Sequence, residues 1–569
     1  MIRPFVLSLC AALALAGCAT LPAAEAPPPR GQAAGAVSAA DPRAEAAGEA
    51  MLRAGGSATD AAIATMLALT VVEPQSSGIG GGGFLVRGTA QGAVTTYDGR
   101  ETAPAGATPD WFLKADGSLP PFLESVRSGL SVGVPGNVAL AARAHAEHGR
   151  LPWAQLFEPA VRLAREGFRI NPRLHSSLTS AKDRAALSEA GRALFYGADG
   201  EPLPVGHLVV NEELARTFEA IAAGGAEAFY TGARAGQLAS TVAGATPRAG
   251  AMTAADLAAY RALERDAVCT TYRRHRVCGM GPPTSGGVAV LQMLGMLERF
   301  DLAALGLENP ITWHLFLEAQ RLAYADRELY LADPDFVAVP VAGLIDPAYL
   351  AGRSALIGEA GAMAEVEPGR PAGAPLALAD GDEPEERGTT HFAVADAERT
   401  MISYTSTIEG AFGSGLMSGG FYLNNELTDF SRSPMVGGRL VANRVEGGKR
   451  PRSSMAPMLV WSPDGTPLLA IGAAGGPTIP VQTARSIIGV IDFGLDAEAA
   501  LGLPFIMSYG GRTMVEQGTW LERAIPALTA LGHQPVAREA PVKANAILHR
   551  AGHWQSARDP RLEAQLELP

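Results

Sequence analysis

Thr389-Thr390-His391-Phe392-Ala393-Val394-Ala395-Asp396, then Ala397-Glu398-Arg399, then Thr400-Met401-Ile402-Ser403-Tyr404-Thr405-Ser406-Thr407: two runs of strand-forming residues around a short polar turn read as a β-hairpin. A turn centred on Glu398 pairs positions whose numbers sum to 796, which sets Thr389 opposite Thr407. A Thr hydroxyl inside a chain is a poor nucleophile because it lacks a base. Breaking the Gly388-Thr389 peptide would give Thr389 an α-amine, with a reference pKa of about 7.7–8.0, as a base within the same residue. The plain alternative is that Thr389-Thr390 fills a strand.

Just upstream, between Glu359 and Gly388, composition turns to Pro, Gly and acid, with Asp380, Asp382, Glu383, Glu385 and Glu386 close together. Such a segment carries too little apolar surface to order itself, and its abrupt end at a strand suggests a processing point; a surface loop would read the same way. From Thr389 the pattern is strand-rich with period-2 alternation. Farther upstream, residues 134–345 are mostly amphipathic helix, as in Asn137 to His148 and Thr312 to Ala332. Residues 41–75 alternate Ala-rich helical patterns with the turn Ala54-Gly55-Gly56-Ser57, and Ala61 to Val72 reads as a buried helix.

Two motifs are set aside on their context. Gly78, Gly80 and Gly83 form G-x-G-x-x-G, but a helix precedes them and the strand Phe84 to Arg87 follows, the reverse of a dinucleotide site. His145, Glu147 and His148 stand at helical spacing without a third ligand, so they read as a solvated helix face and no metal is expected.

The 569-residue chain has 46 Lys plus Arg against 58 Asp plus Glu, a net charge of −12, which argues against a nucleic-acid partner. With 47% hydrophobic and 18% charged residues it can bury a large core. Arg3 followed by the apolar run Phe5 to Ala16 fits a signal peptide over residues 1–17 and is too short to span a bilayer. Leu15-Ala16-Gly17-Cys18 resembles the bacterial lipobox, so the expected product is periplasmic and lipid-anchored through Cys18, with residues 18–40 as a Pro/Ala-rich tether. Cleavage after the A-x-A sequence Ala14-Leu15-Ala16 is the rival reading. In an oxidising compartment Cys269 and Cys278 either close a hairpin with a disulfide or stay as thiols; spacing does not choose.

Gly388-Thr389-Thr390-His391, Phe412-Gly413-Ser414-Gly415, Leu423-Asn424-Asn425-Glu426-Leu427-Thr428-Asp429-Phe430-Ser431, Lys449-Arg450-Pro451-Arg452-Ser453-Ser454-Met455 and Gly475-Gly476 stand in order within 90 residues. Upstream stand Asp98-Gly99-Arg100-Glu101-Thr102-Ala103-Pro104, Ser131-Val132-Gly133-Val134-Pro135-Gly136 and the loop Gly281 to Gly287. On these blocks nearly the whole mature chain resembles the γ-glutamyltransferases, N-terminal-nucleophile enzymes that cleave themselves before such a Thr.

The resemblance implies an α+β protein, a four-layer αββα sandwich formed jointly by a large subunit, residues 41–388, and a small catalytic subunit, residues 389–569. The two would form a heterodimer from one precursor, with no cofactor. It implies that Thr389 is nucleophile and base, oriented by Thr407, with Gly475 and Gly476 as oxyanion donors. Arg100, Ser453 and Ser454 would hold the α-carboxylate of a γ-glutamyl donor such as glutathione, and Glu426, Asp429 and Glu409 its ammonium. Water, an amino acid or a peptide would accept the acyl group. Glu409 stands where well-known members carry Asn, and Ser431 to Gly448 is shorter than the lid of some relatives. The rivals are a glutaryl or cephalosporin acylase with the same nucleophile, a serine hydrolase built on Gly129-Leu130-Ser131-Val132-Gly133, and an inactive lipoprotein scaffold.

Overall fold

The computed structural model describes residues 35–375, 378–381, 388–509 and 511–568. The signal peptide, Cys18 and most of the tether, as well as Asp382, Glu383, Glu385 and Glu386, lie outside the described residues. The hairpin forms from Thr390–Asp396 and Met401–Thr407, antiparallel, with register running from Thr390 opposite Ser406 to Ala395 opposite Met401. Every residue of both strands is buried, so the alternation expected from Thr389 onward is not one of core against solvent. It separates two cores. Phe392, Val394, Ile402 and Tyr404 face helix Ala58–Val72 and its neighbours, whereas Ala393, Ala395 and Met401 join the core shared with a second sheet. Alanines on that side let two sheets approach closely.

The first sheet has the order Gly35–Ser38, Thr390–Asp396, Met401–Thr407, Gly82–Gly88, Val94–Asp98, Leu263–Arg265. The second runs His553–Arg558, Lys543–Arg550, Pro467–Ala474, Met458–Trp461, His275–Gly279, Val268–Tyr272. Ala58–Val72, begun by a Ser57/Asp60 capping box and buried along its whole length, covers the outer face of the first sheet. Gly286–Leu297 and Ile479–Ile491 cover the second, and Pro310–Tyr330 packs against Gly286–Leu297. The result is the helix, sheet, sheet, helix layering of an αββα sandwich.

The helix read over Asn137 to His148 is found at those bounds, and the one read over Thr312 to Ala332 starts earlier, as Pro310–Tyr330. Gly35–Ser38 pairs with Asp396 to Ala393, so the folded body begins before residue 41 and takes in the end of the stretch read as tether. Leu378–Ala379 pairs in parallel with Leu440–Val441, so the acidic segment is not wholly without order. The Gly78 to Gly83 cluster serves close backbone packing: a Cβ at Gly81 would fall 1.9 Å from the Thr407 carbonyl oxygen. His145 lies against the Trp153 ring at 5.3 Å, and Glu147 accepts the Tyr97 hydroxyl at 2.6 Å, so this helix face is partly packed instead of fully solvated. Cys269 and Cys278 face each other across their hairpin and form a disulfide.

Candidate active site

Thr389 stands at the head of the central strand with its side chain against Thr407, the two hydroxyl oxygens 3.0 Å apart. Thr407 Oγ1 also accepts the Glu409 N–H at 2.8 Å, so its own proton is available to Thr389. In the uncut chain the Thr389 N–H donates to the Ser76 carbonyl at 3.1 Å. Its φ of +82° is a left-handed conformation that a β-branched residue rarely holds, and Glu409 (+73°) and Phe412 (+63°) are left-handed close by. Such strain beside one peptide bond is found at functional sites. Gly388 fits only because it lacks a side chain, since a Cβ there would lie 1.6 Å from the Glu409 carbonyl oxygen.

Behind the threonine, the buried Lys543 ammonium donates to the Thr389 carbonyl at 3.0 Å, to Glu73 at 2.9 Å and to Ser76 Oγ at 3.3 Å. Burial, and then the nearby Arg173 guanidinium, push its pKa down. Arg173 pairs with the same Glu73. This network fixes the backbone at Thr389. Its sequence signal is slight: Lys543 is one of only four lysines in the chain.

One pocket is lined by Arg100, Thr389, Thr407, Glu409, Asp429, Ser453, Ser454 and Gly476, so most of the residues singled out from sequence meet there. Glu426 stands just behind, in contact with Arg100. The charges are arranged differently from the expectation, however. Arg100 is fully buried, and its guanidinium pairs with both Glu426 and Asp429 and donates to the Pro451 (3.1 Å) and Arg452 (2.9 Å) carbonyls. The expected carboxylate fork and the expected ammonium acceptors thus hold one another, a buried pairing that orients both signs of charge toward one space.

Arg327 and Arg452 also line the pocket and were not singled out as site residues: Arg327 lies in helix Pro310–Tyr330, where nothing marks one arginine out, and Arg452 stands within the Lys449 to Met455 block, from which only the two serines were given a role. Arg327 donates to Ser454 Oγ at 2.7 Å and to Ser285 Oγ at 2.8 Å. Ser285 in turn donates through its N–H (2.8 Å) and hydroxyl (2.6 Å) to the Ser453 carbonyl, so the loop 281–287 props up the serine pair. Opposite, strand Pro467–Ala474 ends in Gly475 (φ +119°) and Gly476 (φ +57°), and Gly476 begins a 3-10 turn that runs into helix Ile479–Ile491. The first N–H groups of such a turn have no partner within it.

Beside Arg100, Glu101 is fully buried, and neither carboxylate oxygen has a hydrogen-bond partner among the described residues. Burial pushes its pKa up to about 8, against the pull of Arg100. The folded protein therefore keeps a proton that the unfolded chain releases near 4.5, so this contribution to stability is complete below about pH 4.5 and is lost as pH rises through about 8. Glu101→Gln should melt with the wild type at pH 5 and on the order of 2 °C or more higher at pH 9. A melting difference that is the same at both pH values would show that Glu101 does not titrate in this range.

Ser131, the alternative nucleophile, is fully buried and donates its hydroxyl to the Val126 (2.7 Å) and Ser128 (2.9 Å) carbonyls. It sits in a 3-10 turn, not on a strand-to-helix elbow, and among the described residues its hydroxyl has no basic partner.

Two facing six-stranded sheets, with a hydroxyl-paired threonine at the head of a central strand, define the N-terminal-nucleophile hydrolase fold. The family model for Gamma-glutamyltranspeptidase matches residues 44–567, and the chain belongs to that family. It is 37% identical over 513 residues to the Glutathione hydrolase proenzyme of Bacillus subtilis (strain 168), covering 88% of this chain and 85% of that one. It is 36% identical over 503 residues to the Acylase ACY 1 proenzyme of Pseudomonas sp. (strain V22), covering 87% and 86%. A solved cephalosporin acylase from Bacillus halodurans superposes with a TM-score of 0.81 at 28% identity, over 93% of this chain and 94% of that one.

Proposed function

We propose that the protein is a self-processing γ-glutamyltransferase and glutathione hydrolase. The observation that carries this reading is the pocket at Thr389, whose lining includes both the carboxylates Glu409 and Asp429 and, as donors, the Ser453-Ser454 pair and Arg327. An amino acid head group presents an ammonium and a carboxylate side by side, and this arrangement offers acceptors for one and donors for the other. Arg100, on the same wall, holds Glu426 and Asp429 in place.

Processing begins when Thr389 Oγ attacks the Gly388 carbonyl carbon. The C–N bond breaks, the amine takes the proton, and water then hydrolyses the resulting ester to free Thr389 and a Gly388 carboxylate. In turnover the Thr389 amine takes the hydroxyl proton as Oγ attacks the γ-carbonyl, then gives it to the departing amine. The N–H groups at Gly475 and Gly476 stabilise the tetrahedral oxyanion, a kind of contact worth about 3–4 kcal/mol per donor. Water or an acceptor amine attacks the γ-glutamyl ester and restores Thr389. For the exported form we propose a lipid anchor on Cys18, on the strength of the lipobox-like sequence.

A second reading, a glutaryl or cephalosporin acylase, is favoured by the likeness to the two acylases. A glutaryl group lacks the ammonium, so the carboxylates discriminate. The processed enzyme should turn over γ-glutamyl-p-nitroanilide and glutathione much faster than a glutaryl-cephalosporin nucleus. Asp429→Asn should lower kcat/KM for the γ-glutamyl donors by about 10–100-fold, the worth of one charged hydrogen bond, and spare glutaryl turnover. Preference for the glutaryl substrate would sink the γ-glutamyl reading.

A further inference from the structure

A second set of ligand-type side chains meets away from Thr389. His314 and Glu318 stand one turn apart on helix Pro310–Tyr330, and His533 lies between helix Ile525–Ala530 and strand Pro535–Arg538. All three are buried, one ligand atom from each lies within 4.8 Å of the other two, and none of them is among the described residues that line the pocket at Thr389. His314 Nδ1 and His533 Nε2 are 2.7 Å apart, with the rings edge to face. His314 Nε2 lies 2.7 Å from the Gly358 carbonyl oxygen. A carbonyl can only accept, so Nε2 carries the hydrogen and the Nδ1 lone pair is turned to His533. Glu318 is oriented by two donors, Arg321 Nη1 to Oε1 and the Met363 N–H to Oε2, each at 2.7 Å. His533 borders a cavity of about 880 Å³ whose walls carry the carboxylates of Glu328, Glu365 and Asp380 as well as Arg321.

We infer that His314 Nδ1, His533 Nε2 and one Glu318 carboxylate oxygen bind a single divalent ion of the zinc class, with a water from the cavity as fourth ligand. Two imidazoles and one carboxylate suit such an ion, whereas Mg²⁺ and Ca²⁺ take oxygen ligands. The surroundings are those of a ligand set. A ligating imidazole ordinarily donates its other N–H to a carbonyl, as His314 does to Gly358, and a ligating carboxylate is itself hydrogen-bonded, as Glu318 is. The cavity at His533 is the entry path. Tetrahedral bonds of about 2.0–2.1 Å set two nitrogens about 3.3 Å apart, so the rings part by only about 0.6 Å from their present hydrogen bond. Neutral His533 moves its hydrogen to Nδ1, and no net proton is released. The ion acts as a staple. It ties helix Pro310–Tyr330 to the chain entering the small sheet of Ile506–Tyr509, Arg512–Glu516 and Pro535–Arg538, which Gln320 of that helix already holds through two 2.8 Å bonds to the Ser508 backbone. Local spacing could not reveal this set, because His314 and His533 stand 219 positions apart.

The test uses the untagged protein, stripped with a chelator and titrated with zinc chloride or cobalt chloride. One ion per chain should bind with micromolar affinity or tighter, and Co²⁺ should show the visible bands of a tetrahedral site. Zinc at about a hundred times its Kd should raise the melting temperature by about 2 °C. His533→Gln and Glu318→Gln should each weaken binding by at least about tenfold and remove that rise. Glu409→Gln should do neither, which separates this site from the acidic group Glu409, Glu426 and Asp429 of the catalytic pocket. Zinc-edge X-ray absorption reads the ligands in the wild type itself, so a variant that fails to fold does not leave the question open; two imidazoles per zinc are expected. A shell of oxygens alone, no binding at micromolar zinc, binding that survives in both variants, or loss with Glu409→Gln overturns the site. Every readout is taken without substrate, so none of these outcomes bears on the γ-glutamyl reading.

Discussion

Thr389→Ala is expected to leave the precursor as one chain and to abolish turnover. The wild type should divide before Thr389 into pieces near 38 kDa (residues 18–388) and 19 kDa (residues 389–569), taking the mean residue mass of a 58.8 kDa, 569-residue chain. The argument is geometric. Thr389 Oγ1 is the hydroxyl beside the Gly388-Thr389 bond, it is 3.0 Å from a hydroxyl partner, and its backbone is held in an unfavourable left-handed conformation that cleavage would release. Among the described residues no other hydroxyl pair with those properties lines the pocket, and Ser131 spends its proton on backbone carbonyls. Intact mass decides the matter, with circular dichroism confirming that the variant folds. The mass of the large piece also reads its N-terminus: a lipid on Cys18 adds to it, and Cys18→Ser removes the addition. Splitting of the Ala variant at the same bond would exclude Thr389 as the processing nucleophile.

Gly388→Ala should be nearly as severe, and for a purely steric reason. The added methyl would fall 1.6 Å from the Glu409 carbonyl oxygen, well inside contact distance. That carbonyl cannot retreat easily. The Glu409 N–H is bound to Thr407 Oγ1 at 2.8 Å, and the next residue, Gly410, donates to Asn425 Oδ1 at 2.8 Å. The scissile peptide must move instead, out of line with Thr389 Oγ1. Crowding of this kind costs on the order of 1–3 kcal/mol or more, so processing should slow by roughly a hundredfold while the sandwich still folds. The time course of small-subunit release on a denaturing gel measures it. Release at the wild-type rate would mean that the backbone around Glu409 yields, and that the close approach does not hold the scissile bond in register.

Much of this was legible in the chain itself, for identifiable reasons. The hairpin register followed from turn length, because antiparallel pairing leaves one solution once the turn is fixed, and the structure has that pairing throughout. The helix over Asn137–His148 followed from its apolar period. The ordered small-subunit motifs pointed to one site, and Thr389, Asp429, Ser453, Ser454 and Gly476 from them line one pocket. The cysteines could not be settled from spacing, since a disulfide depends on the distance between two Cβ atoms. The hairpin puts them directly opposite.

The amino-acid order alone therefore determined the local pieces: strands, turns, a threonine placed to become an N-terminus, and a resemblance specific enough to name the family. Tertiary structure alone decided how the charges are shared. Arg100 meets Glu426 across 326 positions of sequence, and Arg327 reaches Ser454 across 127. Periodicity and turn chemistry report on neighbours within a few residues, whereas an ion pair depends on where two remote elements pack. The same holds for Glu101, whose proton is retained because the surrounding fold excludes water.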